Sequence, residues 1–143
     1  MEFYSKYGPA TVEASNIARV MLDKTAPTWA PVQNSITGGY GRVVLALDGA
    51  HQPADAGSGV ARIDILREFN GSATVAPVAP APTFLKIEPA PVTAILDSQV
   101  SQAEYPWYYA VVTDKAGNAS GLIQLNSTSA LSIPFEPADQ VLP

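Results

Sequence analysis

Apolar residues alternate with polar ones at every second position wherever the pattern is legible, and no window shows the 3.6-residue spacing of an amphipathic helix. The clearest run covers residues 107–113, which are rich in aromatic and β-branched side chains and lead into the turn-forming residues 114–118. Residues 121–125 are predicted to return beside this run and complete a hairpin. The pattern therefore predicts an all-β protein with essentially no helix.

Shorter alternating runs predict further strands. Residues 42–47 form a candidate central strand, and residues 60–69 alternate until Leu66 and Arg67, where we expect a bulge or a strand end. Residues 73–91 carry repeated prolines, which favour a long irregular connection that contains short strands at 83–88 and 92–96. The side chains predicted to share the core face of residues 42–47 are Val43, Leu45 and Leu47.

The composition supports short strands joined by turns. Only 15% of the 143 residues are charged, and the chain contains 13 prolines and 10 glycines. The length is that of one domain with additional terminal segments. Without cysteine, the chain can form neither a disulfide bond nor a catalytic thiolate.

Charge and hydropathy exclude several classes of partner. The net charge of -5 repels a phosphate backbone, and the lysines and arginines are scattered, so we expect no nucleic-acid binding. No apolar stretch approaches the roughly 20 residues of a membrane span. The N-terminal sequence also lacks the pattern of an export signal, so we expect neither a signal peptide nor a membrane anchor.

Three stretches resemble bacterial and phage modules of the fibronectin type III or immunoglobulin-like kind. They are residues 23–27 (DKTAP), 55–60 (DAGSGV) and 108–120 (YYAVVTDKAGNAS). The resemblance implies an immunoglobulin-like, fibronectin type III-like β-sandwich over residues 23–126. Residues 1–22 would then be an N-terminal arm, and residues 127–143 a C-terminal strand and tail.

The same resemblance assigns roles within the penultimate strand. It implies that Tyr108 is a core residue whose hydroxyl bonds nearby backbone, as in a tyrosine corner. Ala110 and Val112 would share its inward face, and Gly117 would shape the following turn. The positions implied to face outward are Tyr109, Val111 and Thr113.

No arrangement of residues predicts catalysis. The single histidine, His51, lies in a polar loop segment, and no spacing singles out a pair of carboxylates for acid–base work. We therefore expect a protein that is not an enzyme and that needs no organic cofactor. Four aromatic residues could stack on sugar rings, although burial in the core is the favoured alternative. These residues are Trp29, Tyr40, Tyr105 and Trp107.

One metal site is a weaker prediction. The implied topology brings Asp23, Asp55, Asp114 and Asn118 toward the same pole of the sandwich, and their oxygen atoms are of the kind that Ca²⁺ prefers. The alternative is that Asp114 and Asn118 only stabilise their own turn through bonds to its backbone.

Both terminal segments can form strands and lie outside the recognisable module. They either add to a sheet of a neighbouring chain or close the edges of this module itself. The apolar residues available for such contacts are Phe3, Ile17, Val20, Leu22, Leu131, Ile133 and Phe135.

Two functional hypotheses follow. The first is a non-catalytic structural protein of a virion, a bacteriophage head-decoration or tail component that assembles with other protein subunits through its sandwich and arms. The second is a spacer or carbohydrate-binding adhesion module of a larger bacterial surface or secreted protein. In that case residues 23–27 would form the joint to a preceding repeat.

Overall fold

A computed structural model of the chain describes residues 23–39, 41–100 and 104–131. Within these residues the secondary structure consists of strands and turns without a helix, which confirms the predicted all-β class. No segment of this described portion is therefore a long apolar helix of the kind that crosses a membrane. The strands are β1 (Gln33–Gly39), β2 (Arg42–Leu47), β3 (Val60–Asn70), β4 (Thr83–Glu88), β5 (Ala94–Asp97), β6 (Tyr105–Asp114) and β7 (Ile123–Gln124).

Two antiparallel sheets pack face to face as a β-sandwich. One sheet has three strands in the order β1-β2-β5, and the other has four in the order β4-β3-β6-β7. The connections from β2 to β3, from β4 to β5 and from β5 to β6 cross between the sheets, so each sheet contains strands from both halves of the chain. The buried residues of the core come from both inner faces and are Trp29, Val43, Leu45, Leu47, Ile63, Ile65, Val92, Ile95, Val100, Tyr108, Ala110, Val112 and Leu125.

The expected irregularity at Leu66 is a β-bulge and not a strand end. Strand β3 continues to Asn70, but its pairing with β4 shifts between Ile65, which lies opposite Lys86, and Leu66, which lies opposite Phe84. Leu85 is therefore the extra residue of the bulge and lies on β4.

Strand β6 differs from the implied pattern because it is buried on both faces. Tyr108, Ala110 and Val112 point into the core, but Tyr109 on the opposite face is only 2% exposed. The neighbouring Trp107 is also buried, and its indole nitrogen donates to the carbonyl of Ser72, 3.0 Å away in the β3–β4 connection. Tyr109 therefore lies on the outer face, as the resemblance implied, but this face of the strand is covered and Tyr109 is not exposed to solvent.

A buried polar network joins the two sheets. The Tyr108 hydroxyl donates to Oδ2 of Asp97 at 2.7 Å, and not to nearby backbone as a tyrosine corner would require. Arg67 donates from one guanidinium nitrogen to both Asp97 oxygens, at 2.8 and 2.7 Å, and the Gln99 amide donates to Oδ1 at 3.1 Å. Asp97 ends β5 in the three-stranded sheet, whereas Arg67 and Tyr108 are neighbours on β3 and β6. The carboxylate is thus satisfied by both layers of the sandwich.

Burial, together with the hydrogen bond to Asp97, raises the pKa of Tyr108 well above its usual range, and burial also raises the pKa of Tyr109. The folded state therefore favours both neutral phenols. This contribution to stability is complete below the unfolded pKa of about 10 and is lost as the pH rises above it. We expect two of the six tyrosines to ionise only when the protein unfolds, as measured by tyrosinate absorbance alongside near-ultraviolet circular dichroism.

Replacing Tyr108 by phenylalanine separates the effect of its hydrogen bond to Asp97 from the effect of its ionisation. Tyr108→Phe should lower the free energy of unfolding at neutral pH by about 1–3 kcal/mol, because Asp97 loses a donor. Above pH ~10 its stability should fall less steeply with pH than that of the wild type. Tyr105→Phe, on the same strand, leaves Asp97 intact and serves as the control. Equal pH slopes in all three proteins would show that Tyr108 ionises in the folded state.

Candidate metal centre

Three aspartates from distant parts of the chain meet at one pole of the sandwich. Asp23 is the first residue that the structure describes, Asp55 lies in the β2–β3 connection, and Asp114 is the last residue of β6. One carboxylate oxygen of each lies within 4.8 Å of the others. The β3–β6 pairing explains part of this convergence, because Val60 lies opposite Asp114 and so brings the end of the β2–β3 connection beside it.

Backbone amides hold each carboxylate in place. Asp23 Oδ2 accepts from the Ser58 amide at 2.7 Å, and its Oδ1 accepts from Thr25 at 3.2 Å. Hydrogen bonds from Ser58 are the main reason that the pKa of Asp23 lies below its usual range. Asp55 Oδ2 accepts from the Gly59 amide at 2.9 Å. Asp23 and Asp55 are thus both bonded to the same short stretch, residues 58–59.

Asn118 links the turn after β6 to the start of the described chain. Asp114 Oδ1 accepts from the amides of Ala116 and Asn118, at 3.0 and 2.8 Å, which is the turn stabilisation that the sequence offered as an alternative. Asn118 Nδ2 then donates to Asp114 Oδ2 at 2.9 Å and to the backbone carbonyl of Asp23 at 2.8 Å. The donor end of its amide therefore faces this cluster. Asn118 positions Asp23 and Asp114 and does not present an oxygen there.

Two glycines permit the close approach. A Cβ atom at Gly57 would lie 2.6 Å from the carboxylate atoms of Asp23, so any larger residue at this position would force the Asp23 side chain to move. Gly117 has a φ of 94°, which places the turn after Asp114 in the conformation that glycine adopts most readily. The sequence predicted the turn at Gly117, but it gave no sign that Gly57 packs against Asp23.

The electrostatics of the cluster would favour a bound cation. Asp55 Oδ1 is buried and has no hydrogen-bond partner in the described structure. Among the described residues, no lysine or arginine forms a salt bridge with any of the three aspartates, although Lys115 lies near Gly59. Three carboxylates at this separation repel one another unless a cation lies among them.

The donor set fits Ca²⁺. Oxygens bound to one calcium ion at about 2.3–2.6 Å can be as far as about 5 Å apart, which includes the separations found here. Asp23, Asp55 and Asp114 would hold the ion, and their remaining lone pairs are free of backbone donors. Bound there, Ca²⁺ would neutralise the cluster and join three chain segments.

The other residues that the sequence analysis considered for catalysis or sugar binding lie elsewhere in the fold. His51 is largely exposed, and its Nδ1 lies 2.9 Å from Oδ2 of Asp48. Trp29 and Trp107 are buried, so neither indole presents a face for stacking on a sugar. Tyr105 is half-buried, and Tyr40 lies outside the described residues.

The amino-acid sequence matches no model of a known protein family, and no curated protein is significantly similar to it.

We expect calcium to stabilise the folded protein. Added to chelator-treated protein at about 100 times its dissociation constant, Ca²⁺ would raise the free energy of unfolding by about 2.7 kcal/mol, seen as a higher melting temperature. Asp55→Asn should abolish this response, because the amide keeps an acceptor for Gly59 but removes the charge. Without calcium the same variant should be at least as stable as the wild type, since one repulsive charge is gone.

Asp64→Asn is the matched control. Asp64 lies on β3, away from the cluster, where it pairs with Arg62, so the calcium response of this variant should equal that of the wild type. An unchanged wild-type melting temperature in millimolar calcium would rule out the site.

Proposed function

We propose that this protein is a non-catalytic structural module of the immunoglobulin-like, fibronectin type III kind that serves as a subunit of a larger protein assembly. The setting that we propose is a bacteriophage virion, in which the module would be a head-decoration or tail component. Its sandwich would be the rigid body, and residues 1–22 and 127–143 would make contacts with neighbouring subunits.

The strand arrangement supports the immunoglobulin-like part of this proposal. Strands β3, β6 and β7 share one sheet, as strands C, F and G do in immunoglobulin domains. Strand β4 joins that sheet beside β3, at the position of the strand C′ that variable-type domains add. Strands β1, β2 and β5 in the other sheet correspond to A, B and E.

The observation that carries the structural function is the anchoring of Asp23. This residue directly follows the N-terminal arm, and it is held through its carboxylate by Ser58 and through its carbonyl by Asn118. The point at which the described chain begins is thereby held at the carboxylate cluster. A rigid departure point lowers the entropic cost of placing an arm on a neighbour.

The C-terminal side supplies a similar anchor. The Gln33 side chain accepts from the amides of Ser127 and Thr128 at 2.7 and 3.1 Å, and the Ser129 amide donates to the Ala73 carbonyl at 2.8 Å. Leu131 is the last described residue before the tail. The other proposed contact residues lie outside the described residues and are Phe3, Ile17, Val20, Leu22, Ile133 and Phe135.

A spacer module of a bacterial surface or secreted protein is the second candidate. It is favoured by the same cluster, because Asp23 opens the stretch that resembles a joint between modules, and a cation there would stiffen such a joint. The carbohydrate-binding form of this hypothesis is weaker, since the indoles of Trp29 and Trp107 are buried.

Deletion of residues 1–22 tests the assembly function. We expect the shortened protein to fold, because both sheets and the core of the described residues are formed after residue 22, but to be absent from particles purified from cells that make the assembly. The full-length chain carrying the same tag is the control for occupancy. If the shortened protein were present in the particles at wild-type occupancy, residues 1–22 could not be the attachment element. The spacer function would then be favoured.

A further inference from the structure

Strand β4 ends before it has covered the whole edge of its neighbour β3. Strand β3 begins at Val60, but its pairing with β4 begins only where Ile63 lies opposite Glu88. Among the described residues, no strand therefore lies beside residues 60–62 on the side of β3 that faces away from β6. Natural β proteins cover such open edges with other parts of the chain, because unpaired backbone groups invite pairing with foreign strands.

A groove occupies the space beyond the end of β4. It has a volume of about 290 Å³, and its walls are residues 60–63 of β3 and residues 87–90. The wall that β4 contributes is largely apolar and accessible, since Ile87 is 51% exposed. Pro89 follows directly after β4 and has no amide hydrogen, so β4 itself cannot continue along β3 and close the groove.

The charged residues of the groove are bonded to partners beside them. Arg62 pairs with Asp64 at 2.6 Å, and Glu88 pairs with Lys86 at 3.2 Å. A small-molecule site needs a few polar groups that converge on the ligand, and these two side chains are already engaged. The groove is therefore better suited to the apolar side chains of an extended segment.

The described chain begins beside the residues that lead into this groove. Thr28 and Ala54 exchange two backbone hydrogen bonds as an antiparallel pair, at 2.9 and 2.8 Å. Nearer the N-terminus, the Asp23 carboxylate accepts from the Ser58 amide at 2.7 Å. From Thr28 back to Asp23, the chain thus follows the β2–β3 connection from Ala54 to Ser58 in the antiparallel sense.

The residues directly before Asp23 are the apolar end of the N-terminal arm. They are Val20, Met21 and Leu22. Because Ser58 comes just before Val60, a chain that continued past Asp23 in the same antiparallel sense would reach the groove with residues 20–22. Strand β4 occupies that side of β3 from Ile63 onward, so the earlier part of the arm would leave β3 there.

We propose that residues 20–22 pack in the groove of their own chain, where they cover the open edge of β3, and that residues 1–19 are the part of the arm left for neighbouring subunits. The same chain is the favoured source, because the bonds that hold Asp23 keep the segment beside the groove at a high effective concentration. The inference rests on the proposed structural function and locates the point at which the arm separates from the sandwich.

Engineered disulfides in the full-length protein test this contact, since the native chain contains no cysteine. Val20→Cys, Met21→Cys and Leu22→Cys are each combined with Ala61→Cys, because Ala61 is an exposed residue of the groove wall. A disulfide requires Cα atoms within about 7 Å, so at least one of the three pairs should close about tenfold or more faster than a control pair in a glutathione buffer. The control is Leu22→Cys with Val78→Cys, since Val78 is 95% exposed in the connection after the other end of β3.

The mass of the product shows which chain supplies the segment. We expect a cross-linked monomer at micromolar protein concentration. A covalent dimer from the pairs with Ala61→Cys would assign the groove to the arm of another copy and overturn the proposal. Closure no faster than in the control pair, for all three positions, would overturn it as well.

Nuclear magnetic resonance of the wild type gives a second test that does not depend on the folding of any variant. We expect nuclear Overhauser contacts between the Ala61 methyl group and the side chains of residues 20–22. If these resonances were assigned and showed no such contact, the groove would not hold the arm. Should both tests fail while deletion of residues 1–22 still removes the protein from particles, the proposed function would stand and only the docking of the arm would be wrong.

Discussion

The pairing of β3 with β6 is the interaction on which the rest of the structure depends. It extends over ten residue pairs from Val60 opposite Asp114 to Asn70 opposite Tyr105, and it is the longest ladder in the described structure. Its middle places Arg67 beside Tyr108, the two groups that satisfy Asp97 of the other sheet. A buried carboxylate without such partners would cost several kcal/mol, so this register also fixes how the two sheets are aligned.

The same ladder positions the carboxylate cluster and the outer face of the four-stranded sheet. At one end it holds Asp114 against the residues that bind Asp23 and Asp55, which produces the carboxylate cluster. On its outer face it supplies Leu66 and Tyr109, which the bulged strand β4 extends with Phe84. The cluster and the outer face are therefore both positioned by the same ladder.

Period-two alternation predicted the all-β class and the long strands, because those features depend on local side-chain pattern. The inward row of β6 was implied by the family resemblance. The carboxylates of Asp23, Asp55 and Asp114 were assigned to one pole only through a family resemblance. The network around Asp97 was not predicted, since residues 67, 97 and 108 meet through tertiary packing. No sequence pattern predicted the side-chain amides that take the place of backbone hydrogen bonds between strands either. Gln52 accepts from the Val92 amide at 2.6 Å and donates to its carbonyl at 2.9 Å, and Asn126 accepts from the Tyr108 amide at 2.8 Å.

The central claim is that three carboxylates from separate segments form one cation site that fixes the start of the module. Isothermal titration calorimetry of Ca²⁺ into chelator-treated, full-length protein tests it most directly, with Asp23→Asn, Asp55→Asn and Asp114→Asn titrated in parallel. We predict one ion per chain in the wild type, a much weaker affinity in each of the three variants, and weaker binding of Mg²⁺, which requires shorter metal–oxygen distances and near-octahedral geometry. Absence of binding heat at several temperatures, or an affinity that the three substitutions leave unchanged, would contradict it.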